Sequence, residues 1–278
     1  MVSHTKQKLS ELHDIIDSWG KVAVAFSGGV DSTFLLIVAH DRLGDGATAV
    51  TVDSPLIAPD EIAAAKAFTA SETINHAVLS VDLFKNDMIL SNPPDRCYYC
   101  KLDVFRTIRE FAASKGITHV ADGSNHDDRD DYRPGMRAIH ELMIRSPLME
   151  AGLTKNEIRR AAQERGLSMW DKPANPCLAT RIPCGTAITK EMLETIYRAE
   201  QYLRGLGVRN VRVRHHGNLA RIEVPADERK LFLDDAVSMK VAEQFKSLGF
   251  IYITLDIEGY RLGSMNERIG REKGNGQG

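Results

Sequence analysis

The sequence predicts an α/β protein: a parallel sheet covered by helices on both faces, followed by a smaller α+β domain. Three observations predict it. Short apolar runs alternate with helical patterns through the first half of the chain. A glycine-rich turn joins the first such run to the helix after it. Beyond about Trp170 the alternation stops, and a proline-rich stretch leads into a different pattern. Strands alternating with helices imply parallel pairing, with ligands at the carboxyl ends of the strands.

Leu9, Leu12, Ile16 and Trp19 mark one face of an opening helix. Lys21–Phe26 reads as a buried strand, followed by the glycine turn and a helix through Leu43. Ala47–Val52 is a second strand, Asp60–Ser71 a helix, Ala77–Val81 a third strand, Cys97–Lys115 a helix and Thr118–Ala121 a fourth strand. Thr154-Lys155-Asn156-Glu157 is a capping box, and Gly166 ends its helix. Lys172–Gly185 carries three of the 10 prolines and reads as a loop. After it come a helix (Thr189–Leu203), two strands (Val208–His215, Leu219–Val224) turning at Gly217-Asn218, a helix (Glu228–Leu248) and a strand (Phe250–Leu255). The expected division is residues 1–172, a linker over 173–185, and 186–278 as a substrate and homo-oligomerisation domain. The Gly-rich tail, Gly270–Gly278, is expected to be mobile.

With 278 residues, 43% of them hydrophobic, the chain supports packed cores. Its net charge of -2 gives no overall field for nucleic acid or acidic membrane. No run approaches the ~18 apolar residues of a membrane helix, and Met1 to Lys8 lacks a signal-peptide core, so a cytoplasmic location is expected. There the four cysteines are expected as reduced thiols serving a metal or catalysis.

Ser27-Gly28-Gly29-Val30-Asp31-Ser32, between a strand and a helix, is built to hold an anion. Glycines let successive N–H groups converge, the helix dipole adds to them, and Ser27 and Ser32 donate further bonds. Asp31 alone would repel a phosphate, so it reads as a ligand for Mg²⁺. The loop is neither a Walker A nor a dinucleotide fingerprint; the plain alternative is a turn that happens to use glycine. It resembles the PP-loop of ATP pyrophosphatases, which implies ATP cleaved at the α-phosphorus. Asp122-Gly123-Ser124-Asn125 follows the fourth strand, so Asp122 and Gly123 are expected at the same sheet edge; its plain reading is an Asx-rich turn.

Cys97 and Cys100 fall at the start of a helix with Asp95 as its expected N-cap, on one face, beside Arg96 and Lys101. Dipole and flanking cations favour thiolate, the metal-binding form. Inert buried thiols, a redox disulfide and half a zinc site are weighed against a cluster completed by a distant cysteine. The zinc reading lacks two ligands and the redox reading its fold, so the cluster fits best. Cys177, on the loop Asn175–Arg181, is the expected third ligand; Cys184 reads equally as a small apolar turn residue. A [4Fe–4S] cluster on three cysteines leaves one iron free for a ligand such as sulfide.

Ser27–Ser32, Asp122-Gly123, Asp130-Asp131-Tyr132-Arg133-Pro134-Gly135, Cys177 followed by Arg181, and Gly207–Arg214 together resemble the LarE sulfur transferases, over roughly Leu9 to Met265. The resemblance implies adenylation of a carboxylate of pyridinium-3,5-biscarboxylic acid mononucleotide and its conversion to thiocarboxylate, toward the nickel-pincer cofactor of lactate racemase. In one branch the cysteine matching Cys177 sacrifices its sulfur. This sequence resembles the branch with three cluster-binding cysteines, which implies a sulfide donor and cluster-bound sulfide. Cys184 stands where the family often has an aromatic residue.

Glu200 interrupts the apolar stripe Leu193, Ile196, Tyr197 and Leu203, so it needs a partner or a catalytic task; otherwise it sits at a solvated edge. Arg212 and Arg214 share one strand face and suit a mononucleotide phosphate, or form a charged face balanced by Glu223. With the resemblance, Thr180, Arg181, Glu200, Arg212, Arg214 and Glu223 become candidates for substrate or phosphate contact. The rival readings are a [4Fe–4S]-dependent tRNA thiolase, an ATP-binding iron–sulfur redox sensor without catalysis, and an ammonia-using carboxylate amidase. The first wants a basic surface; the last leaves the cysteines unexplained.

Overall fold

The computed structural model of the chain describes residues 3–129, 134–173, 175–261 and 265. In chain order the elements begin α1 (Ser3–Asp17), β1 (Val22–Ala25), α2 (Val30–Leu43), β2 (Ala47–Asp53), α3 (Pro59–Ser71), β3 (Asn75–Ser80), α4 (Asp87–Leu90), α5 (Arg96–Ser114) and β4 (His119–Ala121). They continue with α6 (Pro134–Glu141), α7 (Pro147–Glu150), α8 (Lys155–Glu164), α9 (Lys190–Gly205), β5 (Arg212–His216), β6 (Leu219–Glu223), α10 (Asp235–Ser247) and β7 (Tyr252–Leu255). Two compact units divide them: Met1–Lys85 with Asp95–Asn175, and Asn86–Pro94 with Pro176–Gly278. No described helix is long and apolar enough to cross a membrane.

The first unit is built on a parallel sheet of order β3-β2-β1-β4. Alternation along the strands sends side chains to both faces, as the sequence pattern requires. Val22, Val24, Ala47 and Ala49 pack with Leu12, Ile16, Phe34, Leu35 and Ile158, while Ala23, Val50 and Val52 pack with Phe105, Ile108 and Ile139. The chain runs outward from β1 through β2 to β3, then returns to place β4 on the other side of β1. That reversal makes the carboxyl ends of β1 and β4 a topological switch point, where open α/β sheets bind ligands. The loops beginning at Ser27 and Asp122 leave the sheet there.

The capping box forms as expected. Thr154 Oγ1 accepts from Glu157 N at 3.3 Å, and Glu157 Oε2 accepts from Thr154 N at 2.9 Å. Glu157 also accepts from Lys8 Nζ at 2.8 Å and from Thr5 Oγ1 at 3.1 Å, tying α8 to α1. Burial raises its carboxyl, but the bonds from Lys8, Thr154 and Thr5 outweigh that and hold it at about 2, against an ordinary 4.5. The stability this contributes is present above pH 4.5 and is lost as pH falls toward 2. Glu157→Gln should therefore cost about 1–2 kcal/mol at neutral pH after solvent screening, and the gap should close below pH 3. Thermal melts across pH check this; a pH-independent gap would refute it.

The second unit pairs β5 with β6 antiparallel and β6 with β7 parallel, over a core of Leu203, Val211, Val213, Ile222, Val241 and Phe245. Asn86–Pro94 belongs to it: Ile188 N donates to Leu90 O and Gly185 N to Asn92 O, each at 2.8 Å. Asn92 Nδ2 donates to Pro183 O at 2.9 Å.

Three local expectations need correction. Val208–Val211 is not strand: Gly207 turns with φ +93, Val208 N bonds to Leu203 O, and Arg209 N bonds to Glu228, so these amides have partners elsewhere. Glu228–Leu248 is not one helix. A 3-10 turn over Arg229–Leu233 ends at Asp234, whose extended backbone (ψ 119) and carboxylate, accepting from Val237 N at 3.1 Å, start α10 afresh. Asp95 makes no side-chain cap; with ψ 17 it is not extended, and its carbonyl accepts from Tyr98 N instead. Asp130–Arg133, singled out in the sequence, and the tail Gly270–Gly278 lie outside the described residues.

Candidate active site

The turn after β1 is held by its own serines. Ser27 Oγ and Ser32 Oγ lie 3.1 Å apart, Ser32 Oγ donates to Gly29 O at 3.1 Å, and Ser27 N donates to Ser32 Oγ at 3.3 Å. Gly28 adopts φ +70, a left-handed conformation that a side chain would strain, and Gly29 is the N-cap of α2 with no side-chain cap. The helix N-terminus is thus left with backbone N–H groups for an anion. Lys172 Nζ reaches this turn, donating to Gly28 O at 3.2 Å and to Glu61 Oε2 at 2.6 Å; Asn175 Nδ2 holds the other Glu61 oxygen at 2.7 Å.

Asp31, in the first turn of α2, accepts from Lys155 Nζ at 2.5 Å and from Asn125 Nδ2 at 3.4 Å, both through Oδ2. Its Oδ1 is buried and has no hydrogen-bond partner among the described residues. Burial raises the Asp31 carboxyl above the usual carboxylate range, against the pull of Lys155. A buried carboxylate oxygen at a phosphate turn fits a hard cation such as Mg²⁺.

Gly123 sits where β4 ends. A Cβ there would lie 2.8 Å from Ser32 N and 3.0 Å from Ser32 Cα, so only glycine lets this loop close on the phosphate turn. Asp122 is fixed beneath it, accepting from Ser146 Oγ and Ser124 Oγ at 2.6 Å each, with Lys101 Nζ at 3.8 Å. Its carboxylate thus orders the loop. At Gly135 a Cβ would fall 2.7 Å from Lys101 Cδ, a contact that a shift of the lysine stem relieves.

Cys97 and Cys100 lie a turn apart at the start of α5, the first exposed and the second half-buried, with Arg96 Nη2 at 3.9 Å from Cys97 Sγ. Among the described residues no three His, Cys, Asp or Glu side chains of either unit are gathered as a ready metal site. The two thiols are in no disulfide, which leaves them suited to iron as donors.

In the second unit Cys177 caps a 3-10 turn, Leu178–Arg181. Its carbonyl accepts from Thr180 Oγ1 at 2.8 Å and from Arg181 Nη1 at 3.2 Å. Arg181 is wholly buried; Nη1 also holds Pro176 O at 2.5 Å and Thr180 Oγ1 at 3.1 Å. Its Nε and Nη2 grip Glu200 at 2.9 and 3.1 Å. Glu200 is no solvated edge residue: it is buried and also accepts from Val213 N and Arg204 Nη2, each at 3.1 Å. Arg214 donates to Glu223 Oε2 at 2.6 Å and to Thr180 O at 3.2 Å, while Arg212 donates to Val211 O at 2.7 Å and lies over the Tyr260 ring. Burial, with Arg181 nearby, lowers Arg212 to about 10, still a full cation at neutral pH. Thr180, Arg181, Glu200, Arg212, Arg214 and Glu223 thus lie in one cluster, with Arg181 bonded to Glu200 and Thr180, and Arg214 to Glu223 and Thr180. Cys184 stands apart, its Sγ directed at Asn92 O at 3.4 Å.

Sequence reasoning missed Lys155, Lys172 and Glu61. Lys155 carried one signal: a cation at the first position of a helix opposes the dipole.

A serine–glycine turn at the switch point of a parallel sheet, opening onto a free helix N-terminus with a buried carboxylate, defines a PP-loop α/β protein of the ATP pyrophosphatase superfamily. No family model matches the chain. It is 40% identical to the pyridinium-3,5-bisthiocarboxylic acid mononucleotide synthase of Lactiplantibacillus plantarum, over 90% of each chain. It is 42% identical to an uncharacterized protein of Synechocystis, over 94% of this chain and 97% of that one. A GMP synthase of Clostridium tetani is 26% identical, over 73% of this chain and 43% of its own. The chain belongs to the LarE family of ATP-dependent sulfur transferases.

Proposed function

We propose that the chain converts a carboxylate of pyridinium-3,5-biscarboxylic acid mononucleotide to a thiocarboxylate, on the way to a nickel-pincer cofactor of the kind lactate racemase uses. The relative's name supplies the product class, and one observation carries the reading: the phosphate turn with the buried Oδ1 of Asp31. ATP would lie with its phosphates at the turn Ser27–Ser32 and the N-terminus of α2, and Asp31 would hold Mg²⁺, which would neutralise phosphate charge. A substrate carboxylate oxygen attacks the α-phosphorus, pyrophosphate leaves, and an acyl-adenylate remains. Sulfide then adds at the acyl carbon and AMP departs, without oxidation or reduction.

The units divide this work. The first is the ATP pyrophosphatase domain. The second holds the substrate, with Arg212 and Arg214 toward its phosphate and Thr180 and Glu223 setting their direction. Arg181 and Glu200, taken up with each other and with the backbone at 176 and 177, act as positioning residues for Cys177. Exposed Leu233, Met239, Ile251, Tyr252 and Ile257 support self-association through the second unit, to be read by analytical ultracentrifugation.

Cys97, Cys100 and Cys177 would hold a [4Fe–4S] cluster, which supplies sulfide when bound. Cys177 is then a ligand and stays intact. Anaerobically purified protein should carry about four irons per chain. Given ATP, sulfide and the dicarboxylate, it should form AMP, pyrophosphate and thiocarboxylate over several turnovers at unchanged protein mass. ADP and phosphate as products would sink the adenylation; a dehydroalanine at position 177 would sink the cluster assignment. A tRNA shift in a gel, weakened by salt, would favour the thiolase reading instead.

A further inference from the structure

We infer that Lys155 is the exchangeable counter-ion of the phosphate site: it holds Asp31 in the nucleotide-free protein and passes to an ATP phosphate when Mg²⁺ takes that carboxylate. The inference rests on the proposed reading of Asp31 as the Mg²⁺ ligand.

Lys155 is the first residue of α8, where the dipole disfavours a cation, and its ammonium points away to the N-terminus of α2, another positive end. The Asp31 carboxylate makes that position favourable, at 2.5 Å with the side chains 32% and 19% exposed. The backbone of Lys155 is fixed: its N donates to Asp127 Oδ2 at 2.9 Å, and the preceding Thr154 is locked in the capping box. Any movement is confined to the four-carbon stem, which turns freely and carries three donors. Asp31 uses Oδ2 for both Lys155 and Asn125, while Oδ1 has no partner among the described residues. One carboxylate cannot hold a lysine and a divalent cation at full strength, since the two cations repel. ATP brings the anion that receives the displaced ammonium. Free Mg²⁺ is thereby kept off Asp31 until nucleotide arrives with it.

A permanent bridge between α8 and α2 is the competing account, and Lys155→Gln separates the two. Mn²⁺ serves as the probe, read by electron paramagnetic resonance with and without ATP. Without nucleotide, Lys155→Gln should bind Mn²⁺ about tenfold tighter than wild type; with ATP, it should bind the Mn²⁺–ATP complex about tenfold more weakly. Lys155→Arg should keep the wild-type pattern, and adding Asp31→Asn to Lys155→Gln should remove the gained Mn²⁺ binding. Unchanged Mn²⁺ affinity in Lys155→Gln, unchanged affinity for the complex, or Mn²⁺ retained after Asp31→Asn each overturns the inference. Wild-type protein that binds no Mn²⁺–ATP overturns the nucleotide assignment itself, a result distinct from any pattern among the variants.

Discussion

Asp31→Ala should fold as wild type and lose pyrophosphate release by about two orders of magnitude or more, whereas Cys177→Ala should keep release and form no thiocarboxylate. The two residues belong to different halves of the proposed reaction. Asp31 stands at the phosphate turn, with one oxygen on Lys155 and the other buried without a partner among the described residues. Losing it removes the cation's anchor but no packed apolar group. Cys177 lies on a turn whose carbonyl, not its sulfur, is bound by Thr180 and Arg181, so removing Sγ leaves the turn's hydrogen bonds in place. Cys184→Ala, whose thiol faces Asn92 O, should keep both activities and the iron. Pyrophosphate and thiocarboxylate measured on the same samples decide the matter. Thiocarboxylate made by Cys177→Ala above the rate with free sulfide alone would end the assignment, as would iron lost only from Cys184→Ala.

Arg181→Ala should destabilise the protein by about 3–5 kcal/mol, among the largest effects of any single truncation here. Two Glu200 oxygens, two carbonyls and the Thr180 hydroxyl each lose one donor together. Glu200 would keep Arg204 and Val213 N, which is too little for a carboxylate only 1% exposed. Arg181→Met with Glu200→Leu should recover most of the loss, because an apolar pair leaves no uncompensated charge. That double variant should still be slow in sulfur transfer, since the Pro176 carbonyl loses the guanidinium that holds it and the Cys177 carbonyl keeps only its bonds from Thr180. Urea unfolding followed by the thiocarboxylate assay separates the effects. A cost under about 1 kcal/mol for Arg181→Ala would mean that water replaces the guanidinium.

What was legible in the sequence is local or periodic. The strand at Val22–Ala25, the glycine turn, and the Thr154–Glu157 box announce themselves through neighbouring residues. The cluster around Arg181 was legible only as an anomaly, a glutamate inside the apolar stripe of α9. Its partner, 19 positions away, follows from the fold of the loop. Lys155 and Asp31 are 124 positions apart and meet only because β4 returns beside β1. The break at Asp234 was hidden because Leu231 and Phe232 continue the apolar spacing of α10, yet pack against the same core from a 3-10 turn.

Asn86–Pro94 leaves the first unit and rejoins it before α5, so neither unit is a continuous stretch of polypeptide. A ribosome delivers residues 86–94 long before their hydrogen-bonding partners at 185 and 188 exist. When β4 has been made, the carbonyls of Leu90 and Asn92 therefore still lack these two donors. A fragment starting at Pro176 would in turn lack Leu90 O and Asn92 O, and Asn92 itself is 2% exposed in the whole chain. Adding residues 86–94 as a separate peptide should raise the melting temperature of that fragment, and a scrambled peptide should not.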